Sequence, residues 1–461
     1  MMESVSAALA RHVVEARYED LSPAAAEATR KSLLDALGVS LGASGLGEGC
    51  AAFADQAIVN GGKPEATILG FSAKVPAAMA AFANGSMAHA LDFEDALDGA
   101  PVHPNAAVVP AALAVAEAAG RVSGRELMLA QAIGCDLVCR LGLALTANLD
   151  DFAWYPPPIL SAFGAAAAAA RLMRLTEAQV RDAFSLILCQ ATCSAELKYS
   201  PRSVVRAVRD AFPAQAGVVA AQLARRGVSG FDKPFEGKAG FFAAFARGHY
   251  DPEVLFKDLG RDFLGERISF KPWPACRGTH AFIEGALKIA AEHQVDLSGI
   301  REIRLYGGPL QRMLSEPLEQ KRSPATAIDA KFSLPFTVAT ALVHGSVQLE
   351  HFFPGALTDP AVLALAARVA VEIDPASDSE GGATVIHMRG GAHLSVRLEH
   401  ALGHPGNPIG YQALVRKFMD CTRHARNRPD EPALRRLVNT IENLEVSGDA
   451  GGEVFQALAS D

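Results

Sequence analysis

Four segments of this sequence concentrate groups that can move protons or hold anions. The first is His89-Ala-Leu-Asp92-Phe-Glu-Asp95, with His103-Pro104 shortly after. Its three acids close an apolar helical pattern and are poor core material. If the helix continues, Asp92 and Asp95 share a face, and like charges so placed are relieved by a cation or a shared proton. His103, before a proline at a loop-to-helix junction, is placed to point at a pocket. The plainer reading is an acidic helix C-terminus and a surface histidine. The second segment is Arg202, Arg206 and Arg209, at i, i+4 and i+7, preceded by Lys198 and Tyr199. Arginine holds a carboxylate with a planar fork, so a row of three suits a substrate with two or three carboxylates. A solvated basic face, paired with Asp210 and others, would give the same pattern.

The third segment is Phe270-Lys-Pro-Trp-Pro-Ala-Cys-Arg-Gly-Thr-His280. Two prolines make a stiff, extended loop. A helix start near Gly278–Thr279 offers free N–H groups to an anion. Lys271 would anchor a carboxylate or donate a proton, and Cys276 beside the helix start could have a lowered pKa. Cys276 and His280 are assigned as substrate contacts. A rigid interdomain loop with a surface lysine fits equally well. In the fourth segment, Ala330–Phe336, Lys331 enters an apolar helix. An exposed lysine at a helix start is the plainer reading there.

No cofactor signature is present. Gly237–Gly240 is not preceded by a strand, and there is neither a P-loop nor a GxSxG elbow. Cys135/Cys139 and Cys189/Cys193 are spaced i, i+4 in apolar helical patterns and are expected to be buried thiols. The seven cysteines show no CxxC and no Cys/His ligand spacing, so no metal centre is expected, and the usage suits a reducing compartment. The net charge of -8 argues against nucleic acid as a partner, and means that an anionic substrate needs a local cationic site. The N-terminus does not read as a signal peptide. The apolar runs near 106–116 and 162–170 are too short to span a bilayer. A cytoplasmic protein with no membrane partner is expected.

The elements that must carry these groups change character along the chain. With 461 residues, two domains are expected. Ser22-Pro23 reads as an N-cap followed by proline at the first helical position. Further helices are predicted near 76–91, 104–119, 124–146, 160–173, 177–196 and 203–226. From about residue 260, short strand-like stretches appear at 301–306, 369–373, 384–388 and 394–398. Helices at about 278–294, 330–344 and 359–367 lie between them, and two more follow at about 409–427 and 431–443. The predicted fold class is mainly α with a smaller α+β domain, divided as 1–262 all-helical, 263–403 α+β, and 404–461 C-terminal helices.

The phrases MAHALDFEDALDGAPVHPNAAVVPAALAVAEA, SAFGAAAAAARLM, AGVVAAQLARRGVSG, FKPWPACRGTHAFIEGAL and DAKFSLPFTVATAL occur in the order found in the MmgE/PrpD family. That family includes 2-methylcitrate dehydratases, cis-aconitate decarboxylases and iminodisuccinate epimerases. The resemblance runs from about residue 5 to 445. It implies a large helical domain and a smaller α+β lid, with the C-terminal helices returning to the helical part. It also implies a homodimer, an interdomain active site, a small polycarboxylate substrate and no metal or organic cofactor. Carried over by position, Asp92 matches the acid of the family's DFDD phrase, His103 the histidine of HP, and Lys271 the lysine of KPYPxC. Cys276 falls where the decarboxylase branch has histidine. Two departures stand out. Tyr155 replaces the histidine of an FHP phrase, and Arg206 and Arg209 replace the lysine and histidine of TKxxH. Arginine stays charged and cannot exchange protons near neutral pH, but it holds carboxylates well. The resemblance therefore implies a lyase, a dehydratase or decarboxylase, with an epimerase or isomerase of a small dicarboxylate, or a non-catalytic carboxylate-binding member, as alternatives. His103 and Asp92 would do the proton work, Tyr155 would be a second acid, and Arg206, Arg209 and Lys271 would face carboxylates.

Overall fold

The computed structural model describes residues 4–200, 203–377 and 379–458. The chain forms two units, Met1–Ile268 with Gly410–Asp461, and Ser269–Ile409. The first is helical and the second carries a four-stranded sheet, so the fold is mainly α with a smaller α+β domain. Arg202 lies outside the described residues.

The first unit is built on α1 (Val5–Glu15), α2 (Pro23–Leu46), α3 (Cys50–Asn60), α4 (Ala77–Ala88), α5 (Asn105–Ala119), α6 (Gly124–Ala144), α7 (Pro156–Leu172), α8 (Glu177–Ile187), the single turn α9 (Val205–Val208) and α10 (Ala211–Arg225). A two-stranded hairpin, β1 (Ala66–Ile68) with β2 (Ala73–Val75), was not predicted from sequence. Local signals set the helix starts. Ser22 and Ser123 accept from the N–H groups of Ala25 and Glu126, and Thr176 forms a capping box with Gln179. Small residues set the spacing. A Cβ on Gly164 of α7 would lie 2.3 Å from Val138 and 2.6 Å from the Gly134 carbonyl of α6. A Cβ on Gly85 of α4 would lie 2.6 Å from the Asp210 carbonyl. That approach brings the start of α10 to the end of α4.

Helix α6 is long and apolar enough to cross a membrane, and its most apolar stretch is 94% buried in the fold. It is a core helix packed between α5 and α7. The apolar runs considered from sequence, near 106–116 and 162–170, passed over this helix. The C-terminal helices Tyr411–Thr422 and Glu431–Glu442 belong to this unit. The former lies on α2, where Gly38 and Gly42 leave room for Phe418 and the Cys421 carbonyl.

Several predicted helices end early or break. α8 stops at Ile187, where 177–196 was predicted. Cys189 and Cys193 therefore lie beyond the helix, exposed and half-buried, and are not the buried pair expected. Cys135 and Cys139 are buried. The helix predicted over 203–226 is interrupted at Arg209-Asp210.

In the second unit the strand order is β4-β3-β5-β6, with β3 (Ile300–Gly307) parallel to β4 (Val369–Ile373) and antiparallel to β5 (Gly382–Met388), and β5 antiparallel to β6 (His393–Leu398). Ile303, Leu305, Val369 and Ile386 fill one face and join a core with Phe282 of the His280–His293 helix and Phe336 of the Leu334–His344 helix. Alternate residues such as Arg304 and Glu372 pair on the other face at 3.3 Å, as the period of two requires.

Candidate functional site

The acidic segment does not continue α4. The helix ends at Ala88, and the chain turns so that the Asp92 N–H donates to the His89 carbonyl at 2.7 Å. Asp92 is left-handed, with φ 51°, and buried. For a residue other than glycine this conformation costs energy, and such residues cluster at functional sites. Asp92 and Asp95 thus do not share a helix face. The turn brings together His89, Glu94 and His103 instead. Their ligand-type atoms all lie within 4.8 Å of one another.

Glu94 is the hub. Its Oε1 accepts from His89 Nδ1 in a short contact, and lies 2.9 Å from His103 Nδ1. His103 Nδ1 is also 2.9 Å from the Asp95 carbonyl. A carbonyl only accepts, so the His103 proton sits on Nδ1. Nε2 then carries the lone pair, and it belongs to the one ring of the trio that is partly open to solvent, with 19% of the His103 side chain exposed. The geometry therefore orients Nε2 as the basic atom of the neutral ring with a carboxylate behind it, an arrangement that also stabilises the imidazolium once Nε2 takes a proton.

His89 is fully enclosed. Burial and then the Arg209 charge push its pKa below the ordinary imidazole value, against the pull of Glu94 and Asp210. It is a neutral donor to Glu94. Asp95 is buried and accepts from Asn105 Nδ2 at 2.6 Å. Burial pushes its carboxyl up to about 7; the Asn105 bond opposes the rise, while Asp35 and Glu94 add to it.

Arg209 turns inward and is 1% exposed. Its Nη1 donates to the Arg206 carbonyl at 2.8 Å, its Nη2 lies 3.3 Å from His89 Nδ1, and its Nε is 3.4 Å from Asp210. Burial opposes its charge, but Tyr155, Asp210, Glu94 and Asp92 together hold its pKa above the ordinary arginine value. Tyr155, at the N-cap of α7, has the Arg209 guanidinium and the Lys198 ammonium each 5.1 Å from its ring centroid. Lys198 in turn pairs with Asp150. Arg206 is half-buried on the far side of the α9–α10 break.

The C-terminal helix braces this turn. Lys417 reaches Asp35 of α2 at 2.6 Å, donates to the Phe93 carbonyl at 2.6 Å, and lies 3.9 Å from the Phe93 ring centroid. Neither Lys417 nor Asp35 was singled out from sequence. His89 and Glu94 sat in the quoted segment without a role, because their i, i+5 spacing means nothing until the helix stops at Ala88.

In the second unit, Lys271 is fully buried and Cys276 and His280 are buried. Phe270 N–H donates to the Gly403 carbonyl, and a Cβ at Gly403 would lie 1.8 Å from the Phe270 oxygen. Arg277 ties the loop to the Leu402 and Ala401 carbonyls at 2.8 and 3.2 Å. His280 Nε2 donates to the Ala275 carbonyl at 3.1 Å, and its ring meets Trp273 edge-on. Cys276 N–H donates to the Lys331 carbonyl at 3.0 Å, which joins the third and fourth sequence segments. Lys331 is buried, with Nζ 5.6 Å from the Phe352 ring centroid, and not the exposed lysine of the plainer reading.

Comparison with known proteins gives a consistent result. A family model described as the MmgE/PrpD N-terminal domain matches residues 7–253, and one described as the MmgE/PrpD C-terminal domain matches residues 273–443. A cis-aconitate decarboxylase-like protein of Aspergillus oryzae is 27% identical, covering 97% of this chain and 95% of its own. The cis-aconitate decarboxylase of Homo sapiens is 26% identical over 81% of this chain and 78% of its own. The enzyme of that name from Aspergillus terreus is 24% identical over 82% and 80%.

Proposed function

Because this chain belongs to the MmgE/PrpD family, we propose that it is a lyase acting on a small di- or tricarboxylic acid, with cis-aconitate the first candidate, and that His103 is its proton-transfer group. The observation that carries the reading is the Glu94 carboxylate shared by two imidazoles, of which only His103 is partly exposed, with its Nδ1 engaged and its lone pair on Nε2. The names of the relatives point to decarboxylation.

In decarboxylation the bond from carbon to the departing carboxylate breaks, CO2 leaves, and the electron pair stays on the conjugated acid. A proton then joins the carbon, and the imidazolium of His103, charge-balanced by Glu94, can supply it. In dehydration the same nitrogen takes the proton next to a carboxylate, and the hydroxyl leaves as water with a proton from a second acid. Tyr155 is that acid in this reading. Arg206, half-buried, anchors a substrate carboxylate. Arg209 is the fixed counter-charge of the acidic cluster, and its field falls where charge develops. Lys271, buried in the second unit, is the lysine to which the family resemblance assigns a carboxylate or the developing charge.

The test is an NMR turnover screen of cis-aconitate, citrate, 2-methylcitrate, malate and an amino-dicarboxylate. Loss of CO2 or of water from one of them supports the lyase. Deuterium exchange next to a carboxylate without net product makes the protein an isomerase instead. Ligand-induced thermal stabilisation without turnover of any compound removes the enzymatic reading.

A further inference from the structure

The second unit carries a cluster that the lyase reading does not use. The β5/β6 ladder pairs Gly382 with Leu398. Continued two residues outward, that register sets Glu380 beside His400. Gly381 permits the approach, since a Cβ there would lie 2.3 Å from the Leu398 carbonyl and 2.4 Å from that of Glu399. The chain then turns back through a bridge between His404 and Asn407, closed by Asn407 N–H to the His404 carbonyl at 2.8 Å. Asn407 Nδ2 donates to the His400 carbonyl at 3.2 Å and lies 3.2 Å from the buried Glu284. His400 and His404 are thereby fixed on one small loop, their rings stacked with centroids 4.0 Å apart and planes 14° apart.

Glu380 Oε2 lies 3.4 Å from His400 Nδ1 and 3.5 Å from His404 Nε2, and all three atoms fall within 4.8 Å of one another. Hydrogen-bonded ion pairs close to roughly 2.7–2.9 Å. A tetrahedral zinc ion, with bonds of roughly 2.0–2.2 Å, keeps its ligand atoms roughly 3.3–3.6 Å apart. The observed separations match the second distance and exceed the first. His400 Nδ1 makes no hydrogen bond. The side chains are 25%, 37% and 17% exposed for Glu380, His400 and His404, while the His400 Nδ1 atom itself is buried.

We propose that Glu380, His400 and His404 form a binding site for a divalent transition metal of the zinc type, which staples the start of β5 to the turn that follows β6. Two imidazoles and a carboxylate are a donor set suited to zinc. Coordination has a defined proton cost. His404 Nδ1 accepts the Gly406 N–H at 2.9 Å, so the neutral ring carries its proton on Nε2. Binding moves that proton to Nδ1 and releases Gly406. Gly406 is also the residue that leaves the rings room, since a Cβ there would lie 2.7 Å from His400 Cδ2.

The experiment is a calorimetric titration of the full chain with Zn2+ at neutral pH, with Co2+ absorption as a readout of coordination geometry. The proposal expects one equivalent bound with a tetrahedral Co2+ spectrum. Binding should fall on the order of 10- to 100-fold in His400→Ala and in Glu380→Gln, and should weaken in Gly406→Ala, which removes no ligand. His103→Ala should titrate as the parent does. Circular dichroism confirms that each variant is folded. Equal Zn2+ affinity in the parent and the double variant His400→Ala/His404→Ala overturns the proposal, as does loss of binding in His103→Ala alone. Neither result bears on turnover, so this site and the lyase reading fail separately.

Discussion

Glu94 governs what His103 can do. The carboxylate lies 2.9 Å from His103 Nδ1 and also holds His89, so its removal should affect the reaction more than binding. Glu94→Gln keeps the shape and takes the charge away. Turnover is expected to fall on the order of 10²-fold or more, with substrate affinity little changed; steady-state kinetics beside a binding isotherm separate the two. Asp95 gives a prediction about stability. Its folded-state carboxyl holds a proton up to about pH 7, whereas an ordinary aspartate loses it near pH 3.8. Between those values the folded chain binds more protons than the unfolded one, so stability falls as pH rises through the window. The contribution is fully present below pH 3.8 and lost by the time pH passes about 7. Asp95→Asn is expected to flatten urea-denaturation stability across that window, from about pH 4 to about pH 7, and to be more stable than the parent at its alkaline end. Residue types and spacing left Asp92 and His103 open to a plain reading, the family resemblance singled them out, and neither placed Glu94 and His89 around them. That arrangement depends on where α4 stops and on the left-handed turn at Asp92.

At the scale of elements, the acidic turn is held from both sides of the chain. Lys417 comes from the Tyr411–Thr422 helix and Asp35 from α2. Lys417→Met leaves Asp35 buried without that cation, and is expected to cost about 3–5 kcal/mol, whereas replacing both residues by apolar ones recovers most of the loss. Chemical denaturation of the two single variants and the double variant measures this. Helix spacing gives a second test. Gly164→Ala places a methyl 2.3 Å from Val138 and 2.6 Å from a carbonyl, and should destabilise by about 1–3 kcal/mol. The core helices and all four strands of the larger sheet were legible, because apolar periodicity and β-branched alternation report the buried faces. The interruption at Arg209-Asp210 was not. Pro213 is the one local signal that bears on it, since it has no N–H for the Arg209 carbonyl four residues back, and the break lies where Gly85 admits the Asp210 backbone. The β1/β2 hairpin of three-residue strands was equally illegible, since three residues carry no measurable period.

At the scale of the molecule, the net charge of -8 gives an anionic substrate no long-range help, so binding must rest on local cations. The family resemblance implies a homodimer, and sedimentation equilibrium is expected to show a particle of twice the 48.4 kDa chain mass. The central claim is that His103 moves the proton in a lyase reaction on a polycarboxylate. The most direct measurement follows CO2 release from cis-aconitate by the parent chain and by His103→Ala, at matched concentration, with melting temperatures recorded for both. The account predicts release by the parent, and release slower by on the order of 10²–10⁴-fold in the variant with its melting temperature kept. Equal release by both proteins would contradict it.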